Sequence, residues 1–246
     1  ARAALELVFL VGYQLARYGE ARVWWRVASA AAERTGHAEE YLPQLWNHWG
    51  AAQEVHGEHA AAREAYSEAL AGWEARLGPD HPEAAPTLNN LALIELRLGR
   101  SEDALAHHQR ALAIRERAYG PTHPEVANSL NSLGTALLTI GRPAEARGYL
   151  ERALAIYEGM ARPEYARAAA VLGNLASVRL AEADLPGAVA AQSRAVTMLV
   201  AARGADDPGV ARARYNLGVA LQRHGELELA ERQFARAWAI RRARLG

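Results

Sequence analysis

The stretch HPEVANSLNSLGTALLTIGRPAEA, His123–Ala146, has a near twin in HPEAAPTLNNLALIELRLGRSEDA, His81–Ala104, displaced by 42 residues without a gap. A segment rewritten at a fixed spacing signals an array of like units, each too small to bury its own apolar face. The register extends outward from this pair. Trp49-Gly50, Leu91-Ala92, Leu133-Gly134, Leu175-Ala176 and Leu217-Gly218 fall in one column. Gly57, Gly99, Gly141, Ala183 and Gly225 form a second. Two columns of alanine follow, Ala62, Ala104, Ala146, Ala188 and Ala230, then Ala69, Ala111, Ala153, Ala195 and Ala237.

Each column has a physical reading. Leu130, Leu133, Gly134 and Leu137 are spaced as one stripe of an α-helix. The glycine column ends that helix, because glycine accepts the left-handed conformation of a C-cap. A second stripe follows in Ala146, Leu150, Ala153, Leu154 and Tyr157, so a short turn folds two helices back antiparallel. The small residues allow close approach at the crossing. RLGPDHPE and AYGPTHPE then stop the second helix at glycine and start the next near proline, with Pro82, Pro124 and Pro208 in one column. Pro86 conflicts with a helix beginning at Pro82, so that helix is expected to start late or irregularly.

Gly12 and Gly19 are seven apart, like the later pairs, but Gly12 lies only 38 residues before Gly50, and Trp24 stands where later repeats carry alanine. The expectation is therefore an all-α, right-handed superhelical solenoid of six antiparallel helix pairs filling 1–246. It has a divergent first pair at 1–38 and regular repeats at 42–80, 81–122, 123–164, 165–207 and 208–246. The chain opens inside a helical pattern and closes at RRARLG without an evident polar capping helix. A solenoid end without a cap exposes apolar surface, so the chain reads as a piece of something larger. Its last helix, around Phe234 and Trp238, is expected to be imperfectly covered, and self-association through uncapped ends follows from that.

The pattern small-x6-Gly-x4-Ala-x6-Ala in paired helices resembles the tetratricopeptide repeat, and the 42-residue wording LGPDHPE…LNNLA…GR…EA…RALAI is similar to the variant found in kinesin light chains and many bacterial proteins. The resemblance runs over the whole chain, strongly from Leu42 onward. It implies a protein-interaction scaffold that binds a peptide or partner helix in the concave groove lined by the first helices. More narrowly, VFLVGYQLARYGEA followed by such repeats resembles the C-terminal tails of bacterial receptor-type Ser/Thr kinases, and similar arrays follow the NTPase module of bacterial signal-transduction ATPases. That resemblance implies the alternative of a regulatory segment acting by intramolecular contact in a larger signalling enzyme. No G-x-G-x-x-G, H-R-D or D-F-G motif occurs in the chain.

Composition narrows the chemistry. The 246 residues carry 28 basic and 28 acidic side chains, without the basic excess expected of a nucleic-acid partner. Every basic residue is arginine, which excludes Schiff-base and phosphate-loop lysines. Absent cysteine excludes disulfides, thiolate nucleophiles and cysteine-ligated zinc. The apolar run Leu5–Val11 is broken by Glu6 and is too short to span a bilayer, so no membrane partner is expected and a cytoplasmic location is the default.

Candidate chemical groups are few. His107-His108 and the pair His56 and His59 lack further ligands at metal spacing, and His81 and His123 belong to turns. Glu102-Asp103 and Asp206-Asp207 read as helix-start charges that suit the macrodipole. The column Arg110, Arg152, Arg194 and Arg236 reads as exposed salt-bridge partners, with a row of anion clamps as the alternative. No catalytic residue, metal or cofactor is expected, and the chain reads as non-enzymatic.

The asparagines are the candidate partner-binding residues. His48, Asn90, Ser132, Asn174 and Asn216 precede the Leu-small pair, and Asn47, Asn89, Asn131, Gly173 and Tyr215 stand one position earlier. The family resemblance places both columns on the groove side. An amide offers donors and an acceptor, so Asn47, Asn89, Asn90, Asn131, Asn174 and Asn216, with Tyr215, are expected to meet a peptide backbone whatever its sequence. The competing reading is that they bond neighbouring repeats. In the first pair Phe9 and Leu10 occupy these positions, which makes that end of the groove apolar.

Overall fold

The structure, a computed structural model, describes residues 2–160 and 164–243. Among the described residues there are twelve α-helices and no strand. The chain divides into two compact units, Ala1–Pro121 and Thr122–Gly246. In the first unit, α1 (Arg2–Val8) runs on as a π-helical turn, Phe9–Gln14, and pairs with α2 (Tyr18–Arg34). There follow α3 (Ala38–His56) with α4 (His59–Leu77), and α5 (Ala84–Arg97) with α6 (Ser101–Tyr119). The second unit holds α7 (Pro124–Thr139) with α8 (Pro143–Glu158), α9 (Tyr165–Ala181) with α10 (Leu185–Arg203), and α11 (Pro208–His224) with α12 (Leu227–Arg242). Within each unit the second helix of one pair packs on the first of the next. The closing stretch Arg244–Gly246 lies outside the described residues.

The columns do what their chemistry dictates. Gly57 and Gly225 cap α3 and α11 in the left-handed conformation, with φ of 89° and 93°. All ten alanines of the two alanine columns are buried. At the junctions, Gly78, Gly120 and Gly204 adopt φ of 83–90° with ψ near 160°, a region open essentially to glycine alone. His123 and Asp207 then accept hydrogen bonds from the amides of Glu125 and Gly209 as N-caps for helices that begin at Pro124 and Pro208. In the repeat containing Pro86 the helix instead begins at Ala84. Proline therefore stands in the first turn, where no intrahelical amide bond is forfeited.

The first pair departs from the register expected of it. Gly19 does not lie between its helices; it is the second residue of α2, and the break falls at Leu15–Arg17. Ala16 takes the positive φ, 52°, that glycine supplies elsewhere. Counted from Ala16, the two alanine columns are present after all, as Ala21 and Ala28, both buried. The first helix closes through a π-helical turn, Phe9–Gln14, and its break falls four residues after Gly12, where the later repeats break seven after their small residue. Gly12, inside that turn, is the contact point: a Cβ there would stand 2.5 Å from the Cβ of Ala52 and 2.9 Å from that of Ala21.

The cores of the two units differ in kind. The first packs Tyr18, Trp24, Trp25, Trp46 and Trp49 around Leu5, Val8 and Leu45, and continues through Tyr66, Trp73, Leu88 and Ile94. In the second, α9–α12 close over Leu172, Ala176, Ala191, Ala195, Val196, Leu217 and Leu221. Phe234 is only partly buried there, and Trp238 is 60% exposed, so the flank of α12 is imperfectly covered as its sequence suggests.

Candidate functional site

On the first helix of each pair, the Leu-small residues turn into the core and the two positions before them come to the edge of it. Leu88, Leu91 and Ala92 are buried while Asn89 and Asn90 between them are half-buried. In the first unit the Asn47 side-chain oxygen accepts hydrogen bonds from Asn90 Nδ2 and Thr87 Oγ1, each at 3.2 Å. Two repeats are thereby joined by an amide pair. Asn89 turns the other way, to the second helix of its own pair, with Oδ1 2.8 Å from His108 Nδ1. In the first pair, Phe9 stacks on Tyr13 and meets the His48 ring at 5.0 Å, and Leu10 is exposed, so this end is apolar.

The second unit repeats the amide pair. Asn174 Nδ2 donates to Asn131 Oδ1 at 2.9 Å and to Thr135 Oγ1 at 3.0 Å. Asn216 is exposed and makes no hydrogen bond among the described residues. Tyr215 is half-exposed, tilted against Phe234 with ring centres 5.4 Å apart, and has the Arg241 guanidinium 5.9 Å above its ring. The amides are thus brought together in pairs, 47 with 90 and 131 with 174, which the sequence reading weighed as the competing role.

A buried polar group inside the first unit escaped that reading. Glu95 is 1% exposed, yet its carboxylate lies 2.8 Å from His107 Nδ1 and 3.6 Å from Arg63 Nε. A carboxylate so placed needs partners, since desolvation without them costs several kcal/mol. The available signal was a glutamate between Ile94 and Leu96, on the core side of a helix. His107 and His108 diverge to Glu95 and Asn89. Burial, with a smaller contribution from the neighbouring His107, pushes the His108 imidazole down to about 4. Burial also lowers His48, against a bond to the Leu5 carbonyl and the nearby charge of Glu6. Among the described residues no group of three His, Asp or Glu is placed to hold a metal ion, and no helix is long and apolar enough to cross a membrane.

The arginine column makes ion pairs of the same register in both units. Arg110 meets Glu74 at 2.7 Å and Arg194 meets Glu158 at 2.5 Å. Both pairs are partly solvated, so each contributes less than about 1 kcal/mol. In both pairs the guanidinium meets a carboxylate 36 residues earlier, on the second helix of the preceding repeat.

Twelve helices among the described residues, paired on a 42-residue register, with small residues at the crossings and amides on the first helices, define a helical-repeat protein. The tetratricopeptide repeat family model matches residues 41–116, 83–159 and 167–243, and a second model of that repeat matches 131–199. The chain belongs to the tetratricopeptide repeat family. Among solved structures it is similar to BtubC (BKLC) from P. vanneervenii, at 24% identity and a TM-score of 0.77, over 93% of this chain and 91% of that one. It is also similar to a putative kinesin light chain of P. anserina with nearly identical repeats, at 22% identity and a TM-score of 0.69, over 82% and 97% of the two chains. A third is the Rap conjugation gene regulator of plasmid pLS20 in complex with the Phr* peptide, at 15% identity and a TM-score of 0.66, over 86% of this chain and 56% of that one. No match was found among curated proteins.

Proposed function

We propose that the chain is a non-enzymatic protein-interaction scaffold that holds an extended peptide segment of a partner against the amide-bearing faces of its first helices. The observation that carries this reading is the chemistry left over after the amide pairs form. Asn47 and Asn131 use their oxygens in the pairs and keep amide protons, while Asn90 and Asn174 use amide protons and keep an oxygen, counting bonds among the described residues. Each half-buried pair therefore presents one donor and one acceptor, the complement of a peptide unit. The inter-repeat bond holds both side chains in place before the partner arrives, which reduces the ordering cost of binding. The structurally similar Rap regulator is in complex with the Phr* peptide, which supports a peptide as the partner.

The test uses the full chain and a peptide mapped from a partner recovered with it. Replacing Asn90 and Asn174 together by alanine removes both free acceptors, and affinity should fall about tenfold or more, since 1.4 kcal/mol corresponds to a factor of ten. Melting of the same variant measures the structural share, about 0.5–1.5 kcal/mol for each lost bond. Reduced stability with unchanged affinity would assign the amides to repeat stacking alone.

A further inference from the structure

Stacked repeats bury corresponding faces, so the register shows which face is left open. In the second unit, Val189, Val196 and Val200 of α10 share a core with Ala213 and Leu217 of α11, and Gln192 of the same stripe donates to the Ala213 carbonyl. One repeat later, the same positions of α12 are Glu231, Phe234, Trp238 and Arg242. Among the described helices α12 packs on α11 alone, so nothing described covers this face. Leu227 and Trp238 on it are 64% and 60% exposed. With Glu231, Phe234 and Ala235 they line a shallow pocket of about 470 Å³.

The charges on the face distinguish between covers. The column that ends in Arg242 reads Glu74, Glu116, Glu158 and Val200 in the earlier repeats. Glu74 and Glu158 each receive an arginine from the second helix of the following repeat. At Arg242 the sign is reversed, so a helix of the repeat's own pattern would bring arginine against arginine. A cover that fits carries a carboxylate there, and α12 has carboxylates of its own. Its first half bears Glu228 and Glu231, which make no ion pair among the described residues. Its last turn bears Arg242, whose guanidinium lies 5.0 Å over the Trp238 ring.

That order suits the macrodipole of a single helix. It also makes the face complementary to itself when two copies run antiparallel. Ala235, exposed at the middle of the face, is equally distant in sequence from Glu228 and Arg242. With Ala235 on a two-fold axis, Glu228 of each copy stands opposite Arg242 of the other. Each Trp238 then falls between Glu231 and Ala235 of the other copy. Alanine at the axis permits close approach, as it does at the helix crossings inside the repeats. A parallel pairing would instead set acidic half against acidic half.

We propose that the α12 face is a docking surface for a second copy of this chain, paired antiparallel about Ala235, with Trp238 as its apolar anchor and Glu228 with Arg242 as its register. The two-fold repeats every contact twice. The interface is one helix wide, at the low end of specific interfaces, so the dimer dissociates at micromolar concentration. The inference does not draw on the groove reading, because α12 bears none of the asparagines.

Sedimentation velocity of the full chain, over a concentration series from micromolar to several hundred micromolar, should show monomer and dimer and no larger species. Trp238→Ala should weaken the dimer about tenfold or more, as loss of an aromatic anchor does. Glu228→Arg and Arg242→Glu should each weaken it by about tenfold or more, since each sets like charges across the axis. Mixed in equal amounts, those two variants should form a heterodimer as strong as the parent dimer, because both pairs are then restored. All three positions are exposed, so each variant should keep the parent's circular dichroism and its melt at concentrations where the chain is monomeric. A chain that stays monomeric throughout the series overturns the proposal, as does a mixture that fails to restore the dimer. Growth into open-ended oligomers overturns it too, and would assign the α12 face to a head-to-tail contact.

Discussion

The first unit fills its interior with indole rings and encloses a carboxylate and two imidazoles whose protonation burial disfavours; the second is built from alanine, valine and leucine and leaves a polar cleft open beside Gly173. Both obey the same columns. The difference teaches that the repeat pattern fixes where helices cross and turn, while the residues between the columns are free to trade rigidity for access. Where rungs are complete, as at Asn47 with Asn90, the amides bridge neighbouring repeats; beside Gly173, where one side chain is missing, a cleft is open.

Acid should break the comparison most strongly. The folded state holds the His108 imidazole at about 4, below its unfolded value of 6.5, so the unfolded chain binds the proton first. This stabilisation is fully present above pH 6.5 and is lost as pH falls toward 4, by up to about 3 kcal/mol for a shift of this size. His48 acts in the same direction. Thermal melts of the full chain from pH 7 to 4.5 should show the first unit weakening. His108→Gln, which keeps a donor for Asn89, should flatten most of that slope. An unchanged slope would remove His108 from the account.

A smaller effect separates two glycines that meet a neighbouring helix. A Cβ at Gly12 would strike two alanine Cβ atoms that have no torsion with which to yield, whereas at Gly218 it would meet the Phe234 ring, at 2.6 Å, on the open flank of the second unit. Gly12→Ala should therefore destabilise by about 1–3 kcal/mol, as overpacking does, and Gly218→Ala by less than half of that. Denaturant midpoints compare them directly, and equal losses would show that Phe234 is as fixed as the alanines.

The mildest change runs the opposite way. Gly173→Ala places a Cβ in ordinary contact with Gln192 and restores helix propensity, so stability should rise by about 0.5–1 kcal/mol. A loss there would mean that the helix needs glycine for a packing reason.

Most of the fold was legible because the columns carry unambiguous physics: a glycine that must turn left-handed, an alanine that must let a helix pass. The first pair is the exception: its break falls at Ala16 and not at Gly19, its first alanine is Ala21 where the register points to Trp24, and no residue type along the chain announces that earlier turn. The asparagines were legible as a row, but the 43-residue spacing of their bonds, Asn47 to Asn90 and Asn131 to Asn174, was not. It joins residues in different columns, and only the offset between stacked helices makes them neighbours. Gly173 stood in plain view as a break in its column, and at the same spacing it leaves Asn216 without a side chain to meet. The triad of Arg63, Glu95 and His107 draws on three helices, and no spacing along the chain announces it.

The placement of the indoles has a practical side. Trp24, Trp25, Trp46, Trp49 and Trp73 all belong to α2–α4, and the sixth, Trp238, stands 60% exposed on α12. Intrinsic fluorescence is therefore an optical label written into one half of the chain. With Trp238→Phe it would follow the first unit alone, while far-ultraviolet circular dichroism follows both. In a chain that offers neither a lysine amine nor a cysteine thiol to a dye, that built-in chromophore lets the unfolding of the two units be timed separately without adding a foreign group.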